Sequence, residues 1–445
     1  MRTLIQHAQK LLTRLLMAVL VLVMLVIVAR MFTQHVLVNR LAMDNALTRT
    51  ILGSQEEAQR ADQQAAPAAP APAQGPGLIG KLRSLQYDAS QSAGRITSVI
   101  DDHANQRLPY RAVLVEAANE YEDQINWNLA GINEYNSAVD QEDGYLTTYS
   151  NWIDVWENAH QVALFRDTLI PRGIPLLFVQ YPNKISKDDT VLNNVVDFYN
   201  SNADRLLEGL RHYGVDVLDL RQQITAQGKD YQALFYDTDH HWRPETGLWA
   251  AGAIARSLRD DYGIAYDLQL LEPSRFTTTT YERWFLGSQG KKLTLARAVP
   301  DDFTLLTPEY PVDWTLKIPS IGLDETGGFD IIYDMSQVEP KDLYGKDPYG
   351  AYMHAGRDDQ AFMQFRNYLV PSQNQRILLI GDSFSNTMFP FLALGSEHID
   401  KVDLRHYEGS LPALITDNQY TMVVIAYSSL FQVELDSGKS MYDFR

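Results

Sequence analysis

Cysteine is absent from this chain of 445 residues. Its absence excludes thiolate metal sites, a cysteine nucleophile, disulfides and a lipidated cysteine. Basic residues are also few, since 38 Lys and Arg stand against 56 Asp and Glu, which gives a formal charge of −18. Because phosphate binding needs clustered Lys and Arg, this balance argues against nucleic acid as a partner. The sequence also shows no internal repeat and no coiled-coil heptad.

Long hydrophobic runs are scarce as well, and the clearest one occupies residues 15–29 near the N-terminus. Arg14 and Arg30 bound it, and with its apolar flanks it is long enough to span a bilayer. The basic residues before it predict a cytoplasmic N-terminus. A cleaved signal peptide is the alternative, but the sequence around Ala29 is a poor cleavage site. We therefore predict a single-pass anchor over residues 1–32, with the rest of the chain outside the cytoplasm.

The remaining chain divides by composition into a tether and a folded domain. Residues 33–102 are rich in helix formers and then in Ala and Pro, which predicts a helical stalk followed by a linker. Residues 103–445 then alternate helical patterns with short apolar strands. The alternation predicts a three-layer, flavodoxin-like α/β domain with a mostly parallel sheet. Residues 268–371 break the pattern, and we interpret them as an irregular or β-rich insertion over the sheet edge.

Hydrophobic periodicity and turn residues place the individual elements. The predicted helices are 110–129, 154–172, 191–213, 246–262, 384–394 and 411–417. The predicted strands are 174–180, 215–220, 376–380, 401–405 and 421–426, with β-like pieces at 313–318 and 329–333.

A candidate nucleophile, Ser383, lies in the sequence Gly-Asp-Ser directly after the predicted strand 376–380. Its hydroxyl is expected at the carboxyl end of the sheet, where ligands bind in such folds. A helix beginning there would offer free backbone N–H groups to a developing oxyanion. The structural alternative is that Ser383 serves only as a helix N-cap.

A candidate base precedes it in the sequence Asp-Thr-Asp-His-His-Trp, residues 237–242. Asp239 and His241 are spaced i, i+2, so in extended backbone their side chains share a face and His240 points the other way. Asp237 would fall on the same face, so spacing alone does not single out the carboxylate that orients His241. A polar loop with a structural histidine is the alternative.

A metal site is a further alternative for the same residues. Asp237, Asp239, His240 and His241 are all potential ligands of Zn²⁺ or Mn²⁺. No His-x-x-x-His and no second carboxylate cluster at ligand spacing accompanies them. We therefore predict no metal and no cofactor.

These stretches together resemble the DHHW protein family, which is related to the SGNH-hydrolase-like proteins of alginate and cell-surface polysaccharide O-acetylation. The resemblance extends from about residue 104 to the C-terminus. The stretches that carry it are 105–111, 144–146, 181–184, 236–242, 285–291, 381–384 and 403–407.

The resemblance implies an SGNH-type fold and a catalytic triad of Asp239, His241 and Ser383. The relatives' Asp-x-His-Trp pattern favours Asp239 over Asp237 and His241 over His240. The chain departs from ordinary SGNH hydrolases because no block with the oxyanion Gly and Asn is evident. The candidates for oxyanion or substrate binding are Gly287, Ser288, Asn183, Lys184, Asn386 and Arg405.

The sequence therefore predicts a membrane-anchored, extracytoplasmic serine enzyme, an O-acetyltransferase acting on a cell-surface or secreted polysaccharide. The resemblance implies a membrane-bound O-acyltransferase as partner, because acetyl-CoA is absent outside the cytoplasm. The alternatives are a polysaccharide acetylesterase and a non-catalytic glycan-binding scaffold. For the scaffold, the aromatic residues available to stack on sugars are Trp152, Trp156, Trp284, Tyr349 and Tyr352.

Overall fold

The computed structural model describes most of the chain from residue 138 onward. The described ranges are 138–140, 144–150, 152–187, 191–192, 195–295, 297–355, 359–372, 374–428 and 440–445. The predicted anchor, stalk, linker and helix 110–129 lie outside these ranges. Within them, no helix is both long and apolar enough to cross a membrane.

Fourteen strands and seven α-helices lie in the described ranges. The strands are β1 Val139–Asp140, β2 Leu146–Thr147, β3 Leu176–Gln180, β4 Val191–Leu192, β5 Val195–Val196, β6 Asp216–Asp219, β7 Phe276–Phe285, β8 Asp301–Pro308, β9 Trp314–Ile318, β10 Leu323–Gly327, β11 Phe362–Asn367, β12 Arg376–Gly381, β13 His398–Val402 and β14 Met422–Tyr427. The helices are α1 Trp156–Leu169, α2 Tyr199–His212, α3 Leu220–Ala226, α4 Pro244–Tyr262, α5 Ser288–Leu293, α6 Phe389–Ala393 and α7 Leu411–Asn418.

The main sheet has eight strands in the order β10-β9-β11-β13-β12-β14-β3-β6. The strands from β13 to β6 are parallel, whereas β11, β9 and β10 add to the β13 edge antiparallel. One face of the parallel part packs on α1, α2 and α7, and the other on α4 and α6. The prediction of an α/β domain with a mostly parallel sheet is confirmed.

The insertion is more closely joined to the sheet than predicted. Of the strands described between residues 268 and 371, β7 and β8 pair with each other, while β9, β10 and β11 extend the main sheet. In β9, Trp314 and Leu316 face the core and alternate with Thr315 and Lys317, which fixes this register. The β-like piece predicted at 329–333 is wrong, because Phe329–Ile332 form a 3₁₀ helix.

Three predicted boundaries are also wrong. The helix predicted from residue 191 begins only at Tyr199, because the preceding valines form β4 and β5 and Asp197 accepts a hydrogen bond from the N–H of Tyr199. The strand predicted at 401–405 is β13, which ends where Asp403 accepts a hydrogen bond from the N–H of Arg405. The helix predicted at 384–394 is a 3₁₀ turn, Ser383–Thr387, followed by the short α6.

The break in that last helix has a clear cause. Pro390 has no N–H to donate to the preceding turn, and it lies in the first turn of α6.

α4 packs directly on the Ser383–Thr387 turn at Gly247. A Cβ at Gly247 would lie 2.3 Å from the carbonyl oxygen of Thr387, so only glycine permits this approach.

Candidate active site

The loop between Phe235 and Trp242 carries the predicted base. These two residues form an isolated antiparallel bridge, and the N–H of Tyr236 donates to the carbonyl of His241 (3.3 Å). The carboxylate of Asp239 accepts two hydrogen bonds from His241, from its backbone N–H at 3.0 Å and from Nδ1 at 2.7 Å. The pair thus forms as predicted, but through a bend closed by the carboxylate and not through extended backbone.

Ser383 lies at the carboxyl end of β12, and its Oγ is 2.8 Å from Nε2 of His241. Asp382 fixes the turn, since its carboxylate accepts hydrogen bonds from the N–H of Phe384 and from the N–H and hydroxyl of Ser428. The structure therefore joins the three predicted residues in one hydrogen-bonded chain. Asp239 orients the imidazole, and the imidazole faces the serine hydroxyl.

Trp242 ties the histidine loop to the serine turn. Its indole Nε1 donates to the carbonyl of Phe384 (3.0 Å) and to Oγ1 of Thr387 (2.9 Å), and its side chain is fully buried. This contact joins two segments more than 140 residues apart in the chain. The sequence pattern places tryptophan directly after the histidine, and the structure gives that tryptophan a structural role.

The electrostatics keep Asp239 charged and His240 neutral. Burial raises the pKa of Asp239, but His240, His241 and the N–H of Ser288 (2.6 Å) outweigh burial and hold the pKa well below its usual value. Burial and then the charge of His241 lower the pKa of His240 to about 3. A charged carboxylate on Nδ1 suits an imidazole that must accept a proton at Nε2.

His240 does not point away from the pair, contrary to expectation. Its ring centroid is 3.8 Å from that of His241, and its Nδ1 is 3.1 Å from Oγ of Ser288. The bend of the loop turns successive side chains toward one region, so strand alternation does not apply here.

Two residues lie near the pair although the sequence did not place them there. Tyr349 stacks on the imidazole of His241, with centroids 4.0 Å apart, and its hydroxyl donates to the carbonyl of Ser383 (3.0 Å). Tyr349 is buried against His241, so its ring is not free to stack on a sugar. Asp347 has a buried Oδ1 without a hydrogen-bond partner among the described residues. Burial and then Asp239 raise its pKa to about 6.

The predicted oxyanion candidates at the start of α5 already have partners. The N–H of Gly287 donates to Oγ1 of Thr238 (2.9 Å), and the N–H of Ser288 donates to Asp239. By contrast, the N–H of Ser383 has no acceptor among the described residues. It is therefore a backbone donor available to an oxyanion at this serine.

Gly287 instead allows α5 to contact the aspartate loop. A Cβ there would lie 2.3 Å from Cβ of Asp239, so Gly287→Ala must displace the carboxylate that orients His241. We expect kcat/KM on a chromogenic acetyl ester to fall on the order of 10–100-fold. Gly252→Ala is the matched control because a Cβ there meets nothing within 4 Å. Equal kcat/KM for wild type and Gly287→Ala would contradict this close packing.

Asn183 and Lys184 serve the scaffold in this structure. Oδ1 of Asn183 accepts from the N–H of Ile185 (2.8 Å). Nζ of Lys184 is buried and donates to three carbonyls, those of Leu146, Tyr236 and Asp237. Lys184 thus holds the loop that carries Asp239, and it is not directed at a substrate.

Asn386 and Arg405 meet at Asp359. The amide nitrogen of Asn386 donates to Oδ1 of Asp359 (2.6 Å), while Arg405 donates to Oδ2 (2.6 Å) and also pairs with Asp403. Lys401 donates to the amide oxygen of Asn386 (2.9 Å). The structure thus places these two predicted residues in one charged network rather than on the serine hydroxyl.

The geometry also bears on the metal alternative. Ligand atoms of Asp239, His240 and His241 lie within 4.8 Å of one another. Both ring nitrogens of His241 are engaged, however, by Asp239 and by Ser383. An ion bound through His241 would have to displace one of them, whereas base chemistry uses both as they stand.

A parallel α/β sheet with a serine, histidine and aspartate at its carboxyl edge is the arrangement of a serine acyl-transfer or ester-hydrolase site. Residues 143–300 match the family described as SGNH hydrolase-like domain, acetyltransferase AlgX. The matched segment contains Asp239 and His241, and Ser383 lies beyond it. The match confirms the predicted resemblance and the predicted class, an SGNH-type acyltransferase or esterase.

Two solved structures of one protein, PatB1, support the fold. PatB1 of Bacillus cereus superposes with a TM-score of 0.54 at 22% identity, covering 68% of this chain and 98% of that one. A structure of PatB1 with a sulfonyl adduct gives the same TM-score at 20% identity, covering 68% and 99%. A DHHW family protein from Eubacterium siraeum has a TM-score of 0.49 at 18% identity, covering 67% and 92%. No curated protein sequence matches the chain significantly.

Proposed function

We propose that this protein is a membrane-anchored, extracytoplasmic O-acetyltransferase that acts on a polysaccharide. The observation that carries the proposal is the hydrogen-bonded chain from Asp239 through His241 to Ser383. The match to an acetyltransferase family favours transfer over simple hydrolysis. The N-terminal apolar run is the basis for the anchor.

The first half-reaction forms an acetyl-enzyme. Oγ of Ser383 attacks the carbonyl carbon of an acetyl donor while Nε2 of His241 takes its proton. The charged Asp239 stabilises the resulting imidazolium through Nδ1, and the N–H of Ser383 donates to the oxyanion. The donor's C–O or C–S bond then breaks, and His241 returns the proton to the leaving group.

The second half-reaction transfers the acetyl group to a hydroxyl of the glycan. His241 removes the proton of that hydroxyl, whose oxygen attacks the acetyl carbonyl and releases Ser383. Asp347, with a buried oxygen free to accept a hydrogen bond, is suited to orient the incoming hydroxyl. Water in place of the glycan would give the esterase reaction with the same residues.

The acetyl donor must come from the membrane side, because acetyl-CoA is not available outside the cytoplasm. We propose a membrane-bound O-acyltransferase as the partner that supplies it. An anchor followed by a stalk would keep the domain near such a partner by raising its effective concentration.

The proposal is tested by looking for the covalent intermediate. Full-length protein is incubated with a chromogenic acetyl ester or with a sulfonyl fluoride, which traps an activated serine, and is then analysed by mass spectrometry. We expect one acetyl or sulfonyl group on Ser383 in the wild type and none in Ser383→Ala. Modification of another residue, or no modification of folded wild type by either reagent, would refute a serine acyl-enzyme and favour a scaffold.

The acceptor decides between transferase and esterase. Adding an unacetylated oligosaccharide to the trapped acetyl-enzyme should discharge it into an acetylated sugar faster than water does. Discharge only to acetate, at a rate that sugar does not change, would identify an esterase.

A further inference from the structure

A groove of about 460 Å³ lies on the antiparallel extension of the sheet, away from the candidate active site. Its floor is the face of the sheet that carries α1, α2 and α7 farther along. The strand registers align one row of its lining residues across five strands. That row is Thr326, Thr315, Arg366, His398 and Arg376.

Three bases stand side by side in this row. Arg366 is opposite His398, and His398 is opposite Arg376. Burial, and next the charges of Arg376 and Arg366, lower the pKa of His398 despite the opposing effect of Glu397. Arg366 forms no ion pair with a carboxylate in the part of the chain that the structure describes. Two arginine cations on either side of this histidine, in a concave site, are an arrangement that an anionic ligand stabilises.

The nearest carboxylate in the groove is held within the protein. Asp400 is buried and accepts hydrogen bonds from the hydroxyl of Tyr420 and from the amide of Gln364. Lys317, in the neighbouring row, is paired with Asp324 at 2.8 Å. Arg366 therefore remains available to a ligand. Nη1 of Arg376 donates to the carbonyl of Asn418 (3.2 Å), and the rest of this guanidinium remains available.

An aromatic ring completes the groove. Tyr368 is 49% exposed, and its hydroxyl is 3.0 Å from Oγ1 of Thr315, which also contacts Oγ1 of Thr326 (2.8 Å). The guanidinium of Arg366 lies 5.2 Å from the centroid of the ring. A ring held in this way loses little side-chain entropy when a sugar packs on it.

The groove and Ser383 are at opposite ends of the same strand. Arg376 begins β12, and Ser383 follows its carboxyl end. Seven residues in extended conformation separate them by roughly 20 Å. A single sugar cannot reach both places, whereas a polymer can.

We propose that this groove binds an anionic oligosaccharide, with Arg366 and Arg376 contacting its carboxylates and Tyr368 packing on a sugar ring. The groove would hold the polymeric acceptor at a distance from the serine that acetylates it. The role in acetyl transfer rests on the proposed function, but the binding itself does not.

Binding is measured on the full-length protein by isothermal titration calorimetry, without any acetyl donor. The probes are hexagalacturonate and the neutral maltohexaose. The double variant Arg366→Gln with Arg376→Gln removes both charges, and Arg256→Gln on α4 is the control, since Arg256 is exposed outside the groove. We expect hexagalacturonate to bind at least tenfold more weakly to the double variant and unchanged to the control. The affinity should fall as salt rises.

The outcomes separate this inference from the proposed function. Ser383→Ala should bind hexagalacturonate like wild type. A failure to detect acetyl transfer would therefore not contradict the proposal that the groove binds this ligand. If the double variant keeps its melting temperature and binds hexagalacturonate as tightly as wild type does, the proposal that the groove is the binding site is overturned. If maltohexaose binds as tightly as hexagalacturonate, the proposal that the groove selects an anionic ligand is overturned. Inorganic phosphate displacing hexagalacturonate at equal concentration would reduce the site to an adventitious ion only.

Discussion

Ser383→Ala and His241→Ala are each expected to lower kcat for ester turnover on the order of 10⁴–10⁶-fold, and the double variant no further. The reason is the single hydrogen-bonded chain: without His241 the hydroxyl keeps its proton, and without Ser383 the base has no nucleophile to activate. The measurement is steady-state kinetics on a chromogenic acetyl ester with all three variants. Losses that add in the double variant would mean that the two residues act separately.

Asp239→Asn tests the remaining member of the chain. The amide oxygen could still accept from the N–H and Nδ1 of His241. The amide nitrogen cannot accept from the N–H of Ser288, however, and a neutral amide does not stabilise an imidazolium by its charge. We expect a loss on the order of 10³–10⁴-fold in kcat with little change in KM. His160→Ala is a suitable control, because that histidine is half-exposed on α1 and contacts Glu157. A comparable loss in His160→Ala would point to general damage and not to triad chemistry.

The core of this site could be predicted because its chemistry lies in short, contiguous stretches. Asp239 and His241 are two positions apart, and Ser383 follows an apolar strand whose end must lie at the sheet edge. Spacing allowed Asp237 and Asp239 equally as the carboxylate that orients the histidine, so only the resemblance favoured Asp239. The structure shows the physical reason: the carboxylate of Asp239 closes the bend on His241 itself.

The supporting residues could not be predicted, because their contacts are long-range. Tyr349 reaches His241 from an insertion without periodicity, and nothing in its local sequence indicates that contact. Gly287 and Ser288 were expected as oxyanion donors, but their N–H groups meet Thr238 and Asp239 only once α5 docks. Likewise β9 to β11 pair with β13 through register between strands distant in sequence, which a single-sequence pattern does not contain.

Lys184→Met is expected to destabilise the domain by about 1–3 kcal/mol. The variant removes the amine that donates to the carbonyls of Leu146, Tyr236 and Asp237. The carbonyl of Asp237 keeps the N–H of Leu146 (2.8 Å), whereas the buried carbonyl of Tyr236 loses this donor. The measurement is the free energy of unfolding in urea. Lys187→Met is the matched control, because its exposed pair with Asp204 contributes at most about 1 kcal/mol. Similar losses in both variants would contradict a special role for Lys184.

The burial of Lys184 also makes the free energy of unfolding depend on pH, and the sign of that dependence follows from the direction of its pKa shift. Burial, against the charges of Asp301, Asp239 and Asp237, lowers the pKa of Lys184 from 10.5 to about 7. The unfolded chain therefore binds one more proton than the folded chain between about pH 7 and 10.5, so this group makes the domain more stable as pH rises through that window. That contribution is lost as pH falls from about 10.5 to 7, and below about pH 7 none of it remains. The difference in unfolding free energy between wild type and Lys184→Met should accordingly grow from pH 7 to 9.

The side chain of Lys184 also helps to position the loop that carries Asp239 and His241, because two of its three acceptors lie at the beginning of that loop. If Lys184 acts by positioning that loop, Lys184→Met should lower kcat more than it raises KM at temperatures where the variant is folded. The pH profile of the remaining activity should keep its shape, because the groups that transfer protons are unchanged. A variant that loses stability but keeps wild-type kcat would limit Lys184 to holding the fold.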